Sequence, residues 1–352
     1  MKRVGNIYQK IICIENLQKA DEIAQKGKSN QYGVKVHNSK KEENILKLHQ
    51  MLNDKTYQTS TYDIFKVYEP KEREVYRLPY FPDRITHHAI MNILEPIFVS
   101  TFTKDTYSCI KGRGIHKCSF RLRKALKDSE YQYCLKMDIK KFYPNIDHDV
   151  LKTLLRRKFK DKDLLWLLDE IINSASGVPI GNYLSQYFAN FYLTYFDHWL
   201  KEEIKVKHYF RYADDLVIIS KDKNELHYYL KIIKEYLDQN LKLTIKNNHR
   251  IFPVSTGIDF VGYVHFPTHT LLRKGIKKNF ARKLKKKPSI ETVASYLGWA
   301  NHCNSRNLIK KLLPNEQFQE LQNKAKLNQF RRRQNQNKQN SEQRNNYSEI
   351  QN

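Results

Sequence analysis

Alternating polar and apolar positions predict β-strands in the middle of the chain. The run Tyr133–Asp138 predicts one strand. The aromatic segment Phe210–Tyr212 and the apolar run Leu216–Ile219 predict two more strands, which form a hairpin. Asp214 and Asp215 lie between these two strands, so we expect both carboxylates at the tip of the hairpin.

A helical pattern follows the hairpin. Apolar residues recur three or four positions apart from Leu226 to Leu237, which predicts an amphipathic helix over residues 224–240 with Asn224 as its N-cap. The segment Leu241–Lys246 then predicts a further strand. Between about residues 71 and 265, short strands alternate with helical patterns, as is typical of a layered α/β or α+β domain.

Composition indicates a polyanionic partner. The formal net charge is +26 over 352 residues, which favours nucleic acid over the alternative of a basic protein without a specific partner. Apolar runs are too short for a membrane span, so we expect no membrane partner. The five cysteines are scattered without zinc-ligand spacing, which is typical of a reduced, cytoplasmic protein. Residues 316–352 are rich in Gln, Asn and Arg, and we expect most of this tail to be disordered.

The aspartates are candidate metal ligands. Two adjacent like charges are unfavourable unless a cation neutralises them, and hard divalent ions prefer carboxylate oxygen. Asp138 ends the predicted strand Tyr133–Asp138, so two strands would deliver carboxylates to one point. Such a site holds two Mg²⁺ ions, for which Mn²⁺ would substitute, with the Ile139 carbonyl as a further ligand. Taken singly, Asp214 with Asp215 also fits a solvated turn, and Asp138 fits a strand-end cap.

Five segments in the same order resemble the motifs of reverse transcriptases. They are Lys71–Arg77 with Pro82–Ile90, Leu94–Phe98 with Tyr107–His116, Asp138–Ile146, Gly177–Gln186 and Tyr212–Asp215. The resemblance implies an α+β fold of the right-hand polymerase type, with fingers, a palm and a helical thumb. Fingers and palm would contain an antiparallel palm sheet plus helices. The resemblance assigns residues 1–70 to an N-terminal extension and the start of the fingers. Residues 71–265 would form fingers and palm, and residues 266–315 a basic helical thumb.

The second palm motif distinguishes groups within that family. Intron-type enzymes usually carry Gln-Gly-x-x-x-Ser-Pro there, whereas this chain has Ile180, Gly181, Ser185 and Gln186 at the matching positions. This variant is similar to the reverse transcriptases of diversity-generating retroelements, which make error-prone cDNA from a template RNA for mutagenic retrohoming. The alternatives are a retron or phage-defence reverse transcriptase and, in another class, a non-catalytic RNA-binding protein with a polymerase fold.

The resemblance implies roles for individual residues. Tyr143 lies where such enzymes place a steric gate against a ribonucleotide 2′-hydroxyl, with a core aromatic as the alternative. Ile180 replaces an amide, which should weaken rejection of a wrong base. Lys246 matches a position suspected of protonating pyrophosphate, with an exposed lysine as the alternative. The residues expected to contact the nucleotide are Lys71, Arg73, Arg84, Phe142, Tyr143, Ile180, Gly181, Gln186 and Lys246.

The resemblance also implies partners. A hairpin that grips the primer end and a basic run would contact the template RNA and the cDNA/RNA duplex, chiefly through phosphates. The residues expected there are Gly262, Tyr263, Arg273, Lys274, Lys277, Lys278, Arg282 and Lys283. Deoxynucleoside triphosphates would be the substrates. A small basic accessory variability protein, a helical-bundle pentamer, would assist the enzyme. The enzyme itself would be cytoplasmic and bacterial or phage-encoded.

Overall fold

The chain folds as two compact units of mixed helix and antiparallel sheet, which confirms the α+β class. A computed structural model describes residues 2–68, 72–286 and 289–313. The larger unit comprises residues 1–118 and 130–253, and the smaller unit comprises residues 119–129 with the described residues from Val254 onward. Lys71 and the tail over residues 316–352 lie outside the described residues.

Four helices and a two-stranded ribbon begin the larger unit. They are α1 (Tyr8–Ile12), α2 (Ile14–Gln25), α3 (Tyr32–Asn38), α4 (Lys41–Asn53), β1 (Asp63–Val67) and β2 (Arg73–Arg77). The strands β1 and β2 pair antiparallel. An irregular turn, Tyr80–Arg84, leads into the long helix α5 (Ile85–Thr101), which packs against α2. Asp21 on α2 accepts a hydrogen bond from the hydroxyl of Tyr80, which ties the N-terminal helices to this turn.

A four-stranded antiparallel sheet, which we call the palm sheet, forms the centre of the larger unit. Its strands lie in the order β4–β5–β3–β6. Helix α6 (Ile115–Ala125) begins in this unit, and its residues from Ser119 onward belong to the smaller unit. The remaining elements of the larger unit, in chain order, are β3 (Tyr133–Asp138), α7 (His148–Lys158), α8 (Lys162–Asn173), α9 (Tyr183–Tyr192), α10 (Thr194–His198), β4 (His208–Tyr212), β5 (Asp215–Ser220), α11 (Lys223–Leu241) and β6 (Arg250–Pro253). Apolar residues of the palm sheet and of these helices share one core.

Two details after the hairpin differ from the sequence-based prediction. The N-cap of α11 is Asp222, whose side chain accepts from the backbone of Asn224, so the predicted cap at Asn224 is wrong by two residues. The predicted strand over Leu241–Lys246 is also wrong, because only Ile245 forms a bridge, with Ile139. The helix simply continues to Leu241, where burial of that side chain extends the apolar face.

The smaller unit combines a three-stranded sheet with helices, of which the first and the last are basic. Its elements are β7 (Ile258–Phe260), β8 (Tyr263–His265), β9 (Thr270–Leu272), α12 (Lys274–Leu284), α13 (Ile290–Ala300) and α14 (Arg306–Leu312). A separate small core contains Phe280, Val293 and Leu313. The sheet pairs only within itself, which is why this unit begins near residue 254, earlier than the boundary at 265 drawn from the sequence. Among the described residues, no helix is both long and apolar enough to cross a bilayer.

Candidate active site

Strand register brings the three aspartates to one end of the palm sheet. Asp138 ends β3 and lies opposite Asp215, the first residue of β5. The turn between β4 and β5 consists of Ala213 and Asp214, and the backbone N–H of Ile139 donates to the carbonyl of Asp214 at 3.1 Å. The hairpin and the strand end that the sequence predicted therefore meet, as the hypothesis of a shared site requires.

The electrostatics of this cluster favour a bound cation. Burial, and then the charge of Asp138, raises the pKa of Asp214. Lys246 forms an ion pair with Asp138, and the Nζ atom of Lys136 lies 3.9 Å from Oδ2 of Asp215. Lys246 is held in place because its backbone N–H donates to the carbonyl of Asp138 at 2.8 Å. Cationic side chains thus partly neutralise carboxylates that are otherwise close together.

The carboxylates suit a hard divalent ion whose coordination is completed by the substrate. Within the described ranges, no group of three or more His, Cys, Asp or Glu side chains is arranged to hold a metal by itself. Mg²⁺ is commonly bound by one or two carboxylates together with substrate phosphates and water. The side-chain oxygens of Asp138 and Asp214 fit that pattern, because burial and then the charge of Asp138 raise the pKa of Asp214, which a cation would counter. Asp215 lies across from Asp138 in the register.

A short 3₁₀ turn, Tyr143–Asn145, follows Asp138 in the chain. Tyr143 is partly buried, and burial raises the pKa of its hydroxyl, with smaller contributions from Cys109 and Asp214. The carbonyl of Tyr143 accepts from the backbone of Val178 at 2.9 Å. Phe142, in contrast, is only 2% exposed and packs in the core, so the structure does not offer its side chain to a nucleotide.

The loop Gly177–Asn182 lies against β2 and borders a cleft of about 410 Å³. The backbone N–H of Tyr76 donates to the carbonyl of Ile180 at 2.8 Å. Gly181 has φ +127, and a Cβ atom there would lie 2.3 Å from the Tyr76 carbonyl oxygen, so only glycine fits. The cleft is lined by Lys28, Arg77, Arg84, Gly181 and Gln186, among others.

The structure places the predicted nucleotide contacts in two groups. Gly181, Gln186 and Arg84 line the cleft, and the side chain of Ile180 beside them is partly buried. Lys246 belongs to the acidic cluster through its ion pair with Asp138, and Arg73 is exposed on β2, where its charge opposes the rise in the pKa of Asp214.

Residues predicted to contact nucleic acid all fall in the smaller unit. Gly262 lies in the turn between β7 and β8 with φ +87, and a Cβ atom there would lie 2.2 Å from the Trp299 ring. Tyr263 is fully buried and its hydroxyl donates to the carbonyl of Trp299 at 3.0 Å, so its side chain supports the turn from inside. Arg273 pairs with Asp259 at 2.5 Å. The exposed basic residues on α12 are Lys274, Lys277, Lys278, Arg282 and Lys283.

Sequence reasoning missed the buried pair Arg211 and Asp197. Both side chains are fully buried, and Arg211 lies three residues before Asp214. Arg211 could have been found from its position in a predicted strand, directly after the aromatic residues Tyr209 and Phe210, which are buried. A charge in such a position requires a partner.

Comparisons with known proteins agree with this geometry. The family described as "Reverse transcriptase (RNA-dependent DNA polymerase)" matches residues 69–265. The chain is 25% identical to Protein YkfC of Escherichia coli (strain K12), over 59% of this chain and 66% of YkfC. It is 26% identical to Group II intron-encoded protein LtrA of Lactococcus lactis subsp. cremoris, over 47% of this chain and 29% of LtrA.

Among solved structures, a telomerase from Candida albicans aligns with a TM-score of 0.48 at 12% identity, over 73% of this chain and 57% of that chain. The matches thus span less than two thirds of each of these proteins' own length. Because the family match covers more than half of the 352 residues, the chain belongs to the reverse transcriptase family of RNA-dependent DNA polymerases, as the order of its motifs predicted.

Proposed function

We propose that the protein is an RNA-directed DNA polymerase whose reaction takes place at Asp138, Asp214 and Asp215. The observation that carries this proposal is the register of the palm sheet, which brings Asp138 opposite Asp215 and next to Asp214, within a family-matched segment. Burial, and then the charge of Asp138, raises the pKa of Asp214, and perturbed carboxylates of this kind are typical of catalytic sites more than of a non-catalytic RNA-binding protein.

The side chains of Asp138 and Asp214 would hold two divalent ions, with Asp215 and the Ile139 carbonyl as further oxygen ligands. Bound Mg²⁺ supplies activation of the primer 3′-hydroxyl and neutralisation of the charge on the pyrophosphate. Mn²⁺ has a similar preference for carboxylate oxygen, so we expect it to substitute for Mg²⁺.

Basic side chains would bind the deoxynucleoside triphosphate. Arg73 and Arg84 present guanidinium groups suited to bidentate phosphate contacts. Lys246 lies at the acidic cluster and would donate a proton to the departing pyrophosphate when its carboxylate partner is occupied by a cation. Tyr143 would exclude ribonucleotides, and the cleft beside Gly181 and Gln186 would hold the templating nucleotide.

Primer extension on an RNA template tests this assignment. The wild-type protein should add deoxynucleotides in the presence of Mg²⁺, and Asp214→Ala should abolish addition while leaving the fold intact, because it removes a metal ligand and no core contact. Asp238→Ala, which removes an exposed carboxylate from α11, is the matched control and should keep full activity. An active Asp214→Ala protein, or an inactive wild type that binds primer and template, contradicts the proposal.

We further propose that this polymerase is a cytoplasmic protein, bacterial or phage-encoded, that serves a diversity-generating retroelement together with a small basic helical-bundle accessory protein. Ile180 supports the proposal, because an aliphatic side chain in this loop offers no hydrogen bond with which to reject a wrong base pair, and polar readout discriminates better than apolar packing. The retron and phage-defence alternatives share the palm sheet and differ in expected fidelity.

Sequencing of cDNA made on a defined RNA separates these alternatives. We expect misincorporation mainly opposite template adenine, and Ile180→Gln should lower that error rate more than errors opposite other bases. If the wild type copies adenine accurately with the accessory protein present, the retron or phage-defence role would explain the data better than the diversity-generating role. An adenine error rate that does not respond to Ile180→Gln would remove Ile180 as the cause.

A further inference from the structure

A fully buried ion pair lies directly behind the acidic turn. Arg211 on β4 and Asp197 on α10 have no exposed side-chain surface. The Nε atom of Arg211 donates to both carboxylate oxygens of Asp197, at 2.8 and 3.0 Å, and Nη2 donates to Oδ2 at 2.5 Å. A buried ion pair often contributes less to stability than an apolar pair of similar volume. Stability alone therefore does not explain why a charge is retained here.

One nitrogen of this guanidinium contacts the turn that carries Asp214. The Nη1 atom of Arg211 donates to the carbonyl of Ala213 at 3.2 Å. Ala213 has φ +53, a left-handed conformation that is unfavourable for a residue with a Cβ atom. That carbonyl belongs to the peptide bond that leads into Asp214, so its orientation sets the direction in which the next residue leaves the turn.

The guanidinium cannot turn away from Ala213, because its other donors are also engaged. Nη1 donates to the side-chain oxygen of Asn190 at 3.2 Å, and Nη2 lies 3.4 Å from the Thr106 hydroxyl. Asp197 is fixed in turn, because the Tyr209 hydroxyl donates to its Oδ1 at 2.8 Å. The planar fork of an arginine is the side chain suited to holding several acceptors in one fixed geometry.

The backbone of Arg211 is anchored as well. Its N–H donates to the carbonyl of Asp105 at 2.9 Å, and its carbonyl accepts from Tyr107 at 3.1 Å. The segment around Thr106 therefore pairs with the outer edge of β4. The strand that enters the acidic turn is thus held on both sides, by β5 and by this segment.

We propose that Arg211 is a positioning residue for metal binding. It orients the turn that carries Asp214 through the Ala213 carbonyl, while Asp197 fixes its guanidinium. The inference rests on the proposed function, since it concerns the affinity of the same aspartates for a divalent ion. Second-layer contacts of this kind orient the groups that touch a metal, and their loss typically weakens metal affinity about 10- to 100-fold.

Equilibrium binding of Mn²⁺, followed through the electron paramagnetic resonance signal of the free ion, tests the inference without turnover. Arg211→Lys keeps the positive charge but loses the fork, so the Mn²⁺ dissociation constant should rise about tenfold or more. Tyr8→Phe is the matched control, because it removes one buried hydrogen bond, to the carbonyl of Leu52, and none from Asp197, Arg211 or the turn. It should lower the melting temperature but leave Mn²⁺ affinity at the wild-type value.

A double variant covers the case in which Arg211→Lys does not fold. Arg211→Gln with Asp197→Asn removes both charges together and so leaves no unpaired buried ion. It should fold, and it should also bind Mn²⁺ more weakly than wild type. Wild-type affinity in either folded variant, or an equal loss in Tyr8→Phe, overturns the positioning role.

The two proposals fail in different ways. Loss of the Mn²⁺ site in Asp214→Ala and primer extension by the wild type test the polymerase assignment itself. If both hold while the Arg211 variants bind Mn²⁺ normally, only the positioning role is lost.

Discussion

Replacing Gly181 by alanine should disrupt the loop that borders the nucleotide cleft. Gly181 has φ +127, and an added Cβ atom would lie 2.3 Å from the carbonyl oxygen of Tyr76 and 3.2 Å from Val75 Cγ1. The first of these atoms belongs to the backbone of β2, which cannot rotate away as a flexible side chain would. The loop must therefore move off β2 by about 1 Å to reach an ordinary contact distance.

The magnitude of this effect has two parts. A residue with a Cβ atom in this backbone conformation costs about 1–3 kcal/mol. Displacement of the loop also breaks the hydrogen bond from Tyr76 N–H to the Ile180 carbonyl, which contributes about 1 kcal/mol. Together these amount to about 2–4 kcal/mol against the docked loop, so kcat/KM for single-nucleotide addition should fall about 30-fold or more.

A second glycine separates the collision from the backbone strain. Gly114 has φ +117, yet a Cβ atom there would meet nothing within 4 Å. Gly114→Ala should therefore show the strain without the displaced loop, with lower stability and nearly unchanged kcat/KM. If Gly181→Ala and Gly114→Ala have equal kcat/KM for nucleotide addition on the same RNA template, the reasoning about loop docking is refuted.

Two further predictions concern the gate and acid stability. Tyr143→Ala should raise ribonucleotide relative to deoxynucleotide incorporation, whereas Tyr143→Phe, which keeps the ring, should not; an unchanged ratio in Tyr143→Ala would return the ring to a purely structural role. Burial lowers the pKa of His87 from 6.5 to about 3, so the free energy of unfolding should fall as the pH drops from 6.5 towards 3, because the unfolded chain binds the proton more readily. In urea unfolding, the free energy of unfolding should depend less steeply on pH in His87→Gln than in His227→Gln, a control at an exposed site. The two slopes should differ by up to about 1.4 kcal/mol per pH unit, and parallel curves would contradict the prediction.

The strands that carry the three aspartates could be predicted from sequence because their signals are local. An apolar run such as Leu216–Ile219 is too short for a helix and is bounded by polar residues, so its identity as a strand needs no knowledge of the fold. The hairpin tip follows from the same pattern, and with it the place of Asp214. The sequence predicted that two strands deliver carboxylates to one point, but the register that sets Asp138 opposite Asp215 is seen only in the structure.

Other features depend on contacts between distant parts of the chain. Arg211 finds Asp197 on a helix that precedes it by 14 residues, and no local pattern connects the two. Burial of Phe142 beside the partly exposed Tyr143 depends on the 3₁₀ turn that follows β3. The boundary near residue 254 reflects strand pairing, because β6 joins the palm sheet while β7 begins another.

The most direct test of the account is to locate the bound metal on the chain. Fe²⁺ added in place of Mg²⁺, with ascorbate and peroxide, generates radicals that cut the polypeptide close to the ion, and the fragments can be mapped by mass spectrometry. We predict two groups of cuts, one at the end of β3 near Asp138 and one at the turn near Asp214, both suppressed by excess Mg²⁺ and absent from Asp214→Ala. Cuts that fall elsewhere, or that persist unchanged in Asp214→Ala, would contradict a single metal centre shared by these carboxylates.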